Sequence, residues 1–193
     1  MHQLYQNSPS AAERRNLLIE DMTSLDQSGL SCRDCIGNCC TFQSNSMQMT
    51  PLETYDLYLD LKNRLELENA QILTMLDECI KDFRLDQGMD PASLRKTYTC
   101  PFYLGEKQGC QISRKNKPYG CLAFNATETN VLKGSNCQSN ISIQETRAKK
   151  FKKDEEQLNK EIKEFFGFNW DKLPIPLALK ELMGRAETLP KSI

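Results

Sequence analysis

Four cysteines fall inside nine residues, Cys32-Arg-Asp-Cys35-Ile-Gly-Asn-Cys39-Cys40. A second group begins sixty residues later with Cys100-Pro-Phe-Tyr-Leu, continues with Gly109-Cys110 and closes with Lys117-Pro-Tyr-Gly-Cys121. Cys137 follows in a polar stretch, Lys133-Gly-Ser-Asn-Cys137. Cysteines two or three residues apart on a glycine-containing loop can turn several thiolates toward one point, and thiolates are the donors a soft metal ion favours. Metal coordination is the chemistry this pattern points to.

Eight cysteines form the candidate ligand set: Cys32, Cys35, Cys39, Cys40, Cys100, Cys110, Cys121 and Cys137. A tetrahedral four-thiolate site suits zinc, and four thiolates also hold an iron–sulfur cluster such as [4Fe-4S]. Eight thiolates would fill two such sites, or one site with auxiliary ligands. Neighbouring side chains diverge in most backbone conformations, so Cys39 and Cys40 serve different metals or only one of them coordinates. The ninth cysteine, Cys79, lies on an apolar helical stripe and reads as a small buried hydrophobe.

The same residues limit the chemistry. His2 is the sole histidine, which disfavours a catalytic zinc site with histidine ligands. Glu53 and Asp34 lie near the first cysteine group in sequence, and a capping or solvated role accounts for each. No glycine-rich phosphate loop and no nucleophile elbow is present. Cys32-Arg-Asp-Cys35 has the spacing of a thioredoxin-type redox pair but lacks the surrounding βαβ pattern. No catalytic residue is assigned.

At 193 residues, with 39% hydrophobic and 26% charged residues, the chain reads as a globular protein with a modest core. A net charge of −1 and a pI near 6.0 give no basic field for nucleic acid. No signal peptide is visible, and no apolar run approaches the roughly 18 residues that span a bilayer. The expectation is a cytoplasmic protein, where thiols stay reduced and clustered cysteines mean metal more often than disulfides.

The elements that must position the cysteines are mainly helical. Residues 10–28 read as an amphipathic helix with Leu18, Met22 and Leu25 on its packing face, Arg14 and Arg15 on others, and Gly29 as a stop. Residues 30–49 read as a loop. Thr50-Pro51-Leu52-Glu53 is a helix start with a capping box, followed by Leu52, Tyr55 and Leu59 on one face and Leu57, Leu61 and Leu65 beside it. A helix over about 69–84 carries Ile72, Leu76, Cys79 and Phe83. Residues 86–99 read as a turn leading into a short helix or extended segment, and a short hairpin is expected around Cys110-Gln-Ile-Ser. The longest helical pattern, 142–166, places Phe151, Leu158, Ile162 and Phe165 on one seam, and its lysines 149, 150, 152 and 153 precede acids at helical spacing. Trp170, Pro174, Pro176 and a short apolar helix near 177–183 fold back on the body.

Cys-x2-Cys-x3-Cys-Cys, the Thr50-Pro-x-Glu53 helix start, Cys100-Pro-Phe, Gly109-Cys110 and Pro118-x-x-Cys121 together resemble the YkgJ-like cysteine cluster family. These bacterial proteins are described as zinc- or iron-chelating domains, and the resemblance covers roughly residues 30–140. It implies metal binding through Cys32, Cys35, Cys39, Cys40, Cys100, Cys110 and Cys121, with Cys137 similar to a later cysteine that many members carry. Where the family commonly has Arg-Pro and an arginine after the cysteine, this chain has Lys117-Pro118 and Leu122. A similar motif in flagellin lysine methylases implies an iron–sulfur cluster and so keeps iron among the candidate metals.

The chain is therefore expected to be mainly α, with helices around an irregular cysteine-rich metal-binding centre. Residues 1–29 would form an N-terminal helix, 30–140 the metal-binding domain, and 141–193 a helical extension packed on it. The leading function is metal binding by zinc or iron, with no enzyme reaction assigned. One alternative is an iron–sulfur protein with a redox or catalytic role. Another is a zinc-stapled interaction module that docks a protein partner through its C-terminal helix. Neither nucleic acid nor membrane is expected as a partner.

Overall fold

A computed structural model of the protein describes residues 8–30, 37–87, 95–105, 109–127 and 137–188. In chain order the elements are α1 (Ala11–Gln27), a 3-10 turn (Asn38–Cys40), β1 (Gln48–Met49), α2 (Pro51–Asn63), α3 (Asn69–Asp82), α4 (Tyr119–Leu122), β2 (Phe124–Ala126), β3 (Cys137–Ser139), α5 (Ile141–Phe166), β4 (Leu173–Pro174) and α6 (Ile175–Thr188). The expected mainly helical class holds. No described helix is long and apolar enough to cross a membrane.

The helix starts follow from their caps. Glu53 N donates to Thr50 Oγ1 at 3.3 Å, and Glu53 Oε2 accepts from Thr50 N at 3.0 Å, closing the capping box of α2. Ser10 and Glu13 form the same box at α1. Asn140 Oδ1 caps α5 by accepting from Ile143 N at 3.2 Å, and Gly167 ends that helix in the left-handed region at φ +70°.

Leu52, Leu57 and Leu61 of α2 pack with Ile72 and Leu76 of α3, Leu158 and Ile162 of α5, and Leu179 and Leu182 of α6 in the main core. Full burial of side chains of this size is worth about 1.5–3 kcal/mol each. A smaller core joins Leu18 and Met22 of α1 to Leu122 and Ala123 beside α4. The tail folds back as expected, and α6 begins two residues earlier and runs longer than the sequence pattern suggests. A two-residue antiparallel ladder fixes it, pairing Gln48 with Pro174 and Met49 with Leu173.

Four details depart from expectation. Arg14 and Arg15 are fully buried, on the same stripe as Leu18 and Met22, because a carboxylate on α2 awaits them. On α5 it is Phe166 that turns inward, toward Tyr55 at 6.2 Å and stacked on Phe168 at 5.3 Å. Phe165 is left 45% exposed, so an aromatic stack with the tail overrides the simple seam. Cys137 lies on β3, opposite Ala126 of β2, not in an irregular loop. Glu155 turns inward instead of joining the solvated charge pattern of α5, where Lys152 and Glu156 do stand 4.0 Å apart.

Candidate functional site

Cys39 and Cys40 sit on the 3-10 turn, which Cys40 N closes by donating to Gly37 O at 2.7 Å. Gly37 has a φ of +72°, and a Cβ there would stand 2.2 Å from Tyr103 Oη. Only glycine lets this backbone pass under the Tyr103 ring. Cys100 N donates to Cys40 O at 2.7 Å, so the two cysteine groups meet through their backbones.

The expected short hairpin around Cys110 is present in reduced form. Tyr103 and Cys110 make an antiparallel bridge, flanked by Leu104 N to Gly109 O and Gln111 N to Phe102 O, both 2.9 Å. Cys110 is thereby brought back beside Cys100. Cys121 lies on α4, and Glu53 Oε1 holds the start of that turn by accepting from Tyr119 N at 2.9 Å. Glu53 is thus a cap for two helices, not a solvated acid. A Cβ on Gly120 would lie 2.5 Å from Met47 Cε, so α4 is pressed against the loop that precedes β1.

These elements bring Cys39, Cys40, Cys100, Cys110, Cys121 and Cys137 to the wall of one cavity of about 810 Å³. Cys32 and Cys35, with Asp34, lie outside the described residues. Cys79 is 6% exposed and donates its thiol to Thr99 O at 3.3 Å, in keeping with its reading as a core residue.

The thiols act on one another. Burial pushes the Cys100 thiol well above its usual range, and the nearby Cys110 and Cys121 add to that. Cys121 is pushed up to about 12 by burial, with Lys117 pulling the other way and Cys110 and Cys39 pushing again. Cys39 is raised by its hydrogen bond with Cys40 and by burial, again against Lys117. Crowded thiols resist ionising in turn because each new negative charge meets the last, and a cation placed among them reverses that order. Among the described residues, however, no three of His, Cys, Asp and Glu are gathered as a metal-ligand group. The described sulfurs share a cavity and one another's electrostatic reach without forming a coordination sphere, so the cysteine-rich metal centre expected from the sequence is not shown.

A buried charge network beside the cavity escaped sequence reasoning. Arg14 Nη2 donates to both oxygens of Asp56, at 2.8 and 2.7 Å, and Arg15 Nη1 donates to Oδ2 at 2.7 Å. Tyr119 carries the network to α5: its hydroxyl donates to Glu155 Oε1 at 2.5 Å and accepts from Arg14 Nε at 3.2 Å. Arg147 lies over the Tyr119 ring, 3.2 Å from its centroid, and also pairs with Glu155. Burial raises both Tyr119 and Glu155, the arginines only partly offsetting it. The signal was present in α1, where Arg14, Leu18 and Met22 recur every four residues.

Compared with known proteins, the chain matches no family model, no curated protein and no solved structure.

Proposed function

We propose that this chain is a metal-binding protein that holds zinc or iron through cysteine thiolates at the 810 Å³ cavity. The observation that carries the reading is the convergence of six candidate cysteines, from segments as far apart as Cys39 and Cys137, on that one cavity. The soft character of the donors fits zinc or an iron–sulfur cluster and does not suit magnesium or calcium, which take oxygen ligands. Two further cysteines, Cys32 and Cys35, precede Gly37 by five and two residues in the sequence and complete the donor set on this proposal. The resemblance to the YkgJ-like family belongs to the same proposal and points to the same residues.

Lys117 supports the reading as well. It stands where its positive charge favours the ionised form of Cys39 and Cys121, which is the form a metal binds. The lysine thus serves at a position where the resembled family carries arginine.

The deciding experiment is metal analysis with an absorption spectrum on protein purified without oxygen. About one or two zinc ions per chain and no visible absorption support a structural four-thiolate site. Iron with matching acid-labile sulfide, and a visible band that bleaches on reduction, support an iron–sulfur protein with a redox or catalytic role. Protein without either metal would refute the proposal, as would full metal content in both Cys35→Ser and Cys110→Ser.

A further inference from the structure

An ion pair stands at the edge of the cavity. Arg114 Nη2 donates to Asp26 Oδ2 at 2.5 Å, across 88 residues of sequence. Arg114 lines the cavity and is yet 37% exposed, which places its side chain where the cavity meets solvent. Met22 of α1 also lines the cavity, and Asp26 follows four residues on, over the same helical face.

The pair answers a need of α1. Asp26 lies in the last turn of that helix, where the dipole disfavours a carboxylate, and the turn holds no basic residue of its own. Arg114 supplies the missing cation from the stretch between Cys110 and Cys121. That stretch is fastened separately. Ser113 Oγ donates to Asp60 Oδ1 at 3.2 Å, and Asn116 Nδ2 donates to the same oxygen at 3.1 Å. Lys117 O accepts from Arg15 Nε at 2.7 Å. The Arg114 side chain can therefore leave Asp26 while the backbone that joins Cys110 to Cys121 keeps its place.

An ion pair this exposed is weak, and salt screens it. It opens without unfolding anything, and more often as ionic strength rises. Beyond it lie the cysteines of the cavity wall.

We propose that Arg114 and Asp26 form a latch on the cavity mouth, whose opening sets how fast small molecules and ions reach the cysteines. As a control on metal exchange, the latch rests on the cysteine wall being the metal site. As a control on access to the thiols, it does not.

The test challenges the full chain, purified without oxygen and with its metal content measured, with dithiodipyridine, a neutral thiol reagent. Mass spectrometry reads which cysteines are labelled, and phenanthroline, a neutral chelator, follows metal release in parallel. In low salt, Arg114→Gln and Asp26→Asn are each expected to speed labelling of the cavity cysteines and release of metal by about two- to fivefold, the range for an exposed pair. In about 1 M salt the parent speeds up to match them, because screening has already opened the pair. Cys79, in the core, keeps its rate throughout, whereas a general loosening of the fold would speed it equally. Parent-like rates in both variants, a difference that persists in high salt, or labelling of Cys79 accelerated by the same factor overturns the proposal. Faster labelling with unchanged metal release overturns its link to metal exchange. Faster labelling in protein that takes up no metal refutes the metal reading instead and leaves the latch standing.

Discussion

The backbone N–H of Cys100 donates to the carbonyl of Cys40 at 2.7 Å, so the two cysteine groups are fastened before any side chain is considered. Fifty-nine residues of chain, including all of α2 and α3, lie between them. The helices act as a spacer whose ends are returned to one place, and cysteines on either side line a common cavity.

That arrangement separates the cysteines by role. Cys100→Ser and Cys121→Ser are each expected to lower metal content by at least about half, since serine is a poor ligand for a soft metal. Cys79→Ala is expected to keep full metal content and to cost about 1 kcal/mol of stability, the usual size of a buried single-residue change. Metal analysis beside denaturant unfolding of the three variants checks this. Loss of metal in Cys79→Ala would contradict its assignment to the core.

Gly37→Ala tests the crossing under Tyr103. The added methyl meets the phenol at 2.2 Å on a backbone with φ of +72°. Left-handed strain alone costs of order 1–3 kcal/mol, and Tyr103 must also move. Thermal melting is expected to drop by several degrees, and metal content to fall with it because Tyr103 pairs with Cys110.

Asp56→Asn removes the charge that two buried guanidiniums share. Breaking a buried ion pair by altering one partner costs about 3–5 kcal/mol. Denaturant unfolding should show a loss of that size. A change below about 1 kcal/mol, the range of exposed pairs, would show that the arginines find other partners.

Asp60 governs part of the acid limb. Burial opposes its ionisation, but hydrogen bonds from Arg64, Ser113 and Asn116 prevail and hold its carboxyl below the ordinary value of 3.8. A folded-state value below the unfolded one means stability is present above 3.8 and lost as pH falls through the folded value, where the unfolded chain binds the proton first. Asp60→Asn should therefore flatten the stability curve below about pH 4. Urea unfolding at several acid pH values reads the effect directly.

Metal uptake also strengthens as pH rises, through groups whose values are raised, not lowered. Cys100 and Cys121 hold their protons well past neutrality in the metal-free chain, so binding must release them. Apparent affinity should rise between about pH 6 and pH 8, with protons released into weakly buffered solution as metal is added. Uptake independent of pH would exclude these thiols as ligands.

The helices were legible in the sequence because their signals are local. The Thr50–Glu53 box, the Ile72–Leu76–Cys79 stripe and the Gly167 stop each act within a turn or two. Of the candidate site, residue types alone picked out six cysteines that line one cavity. What stayed hidden depends on partners distant in sequence. Nothing near Arg14 announces Asp56, 42 residues on, or Tyr119, 105 residues on. Phe165 and Phe166 are adjacent aromatics, and only the returning tail with Phe168 and Trp170 selects between them. The polar flanks of Cys137 suggest a loop, yet its conformation is set by Ala126 across the ladder.

The two-residue ladder between β1 and β4 has a consequence for how the protein comes into being. Gln48 pairs with Pro174, and Tyr98 OH joins Met47 O to Ile175 N across the same junction. One edge of the cavity is thus closed by residues made well after the cysteines. On a ribosome the cysteines emerge long before that edge does, and contacts so distant along the chain form slowly. During translation the thiols are open to exchange with any soft ion or oxidant nearby, and the arrival of β4 and α6 decides when that traffic stops.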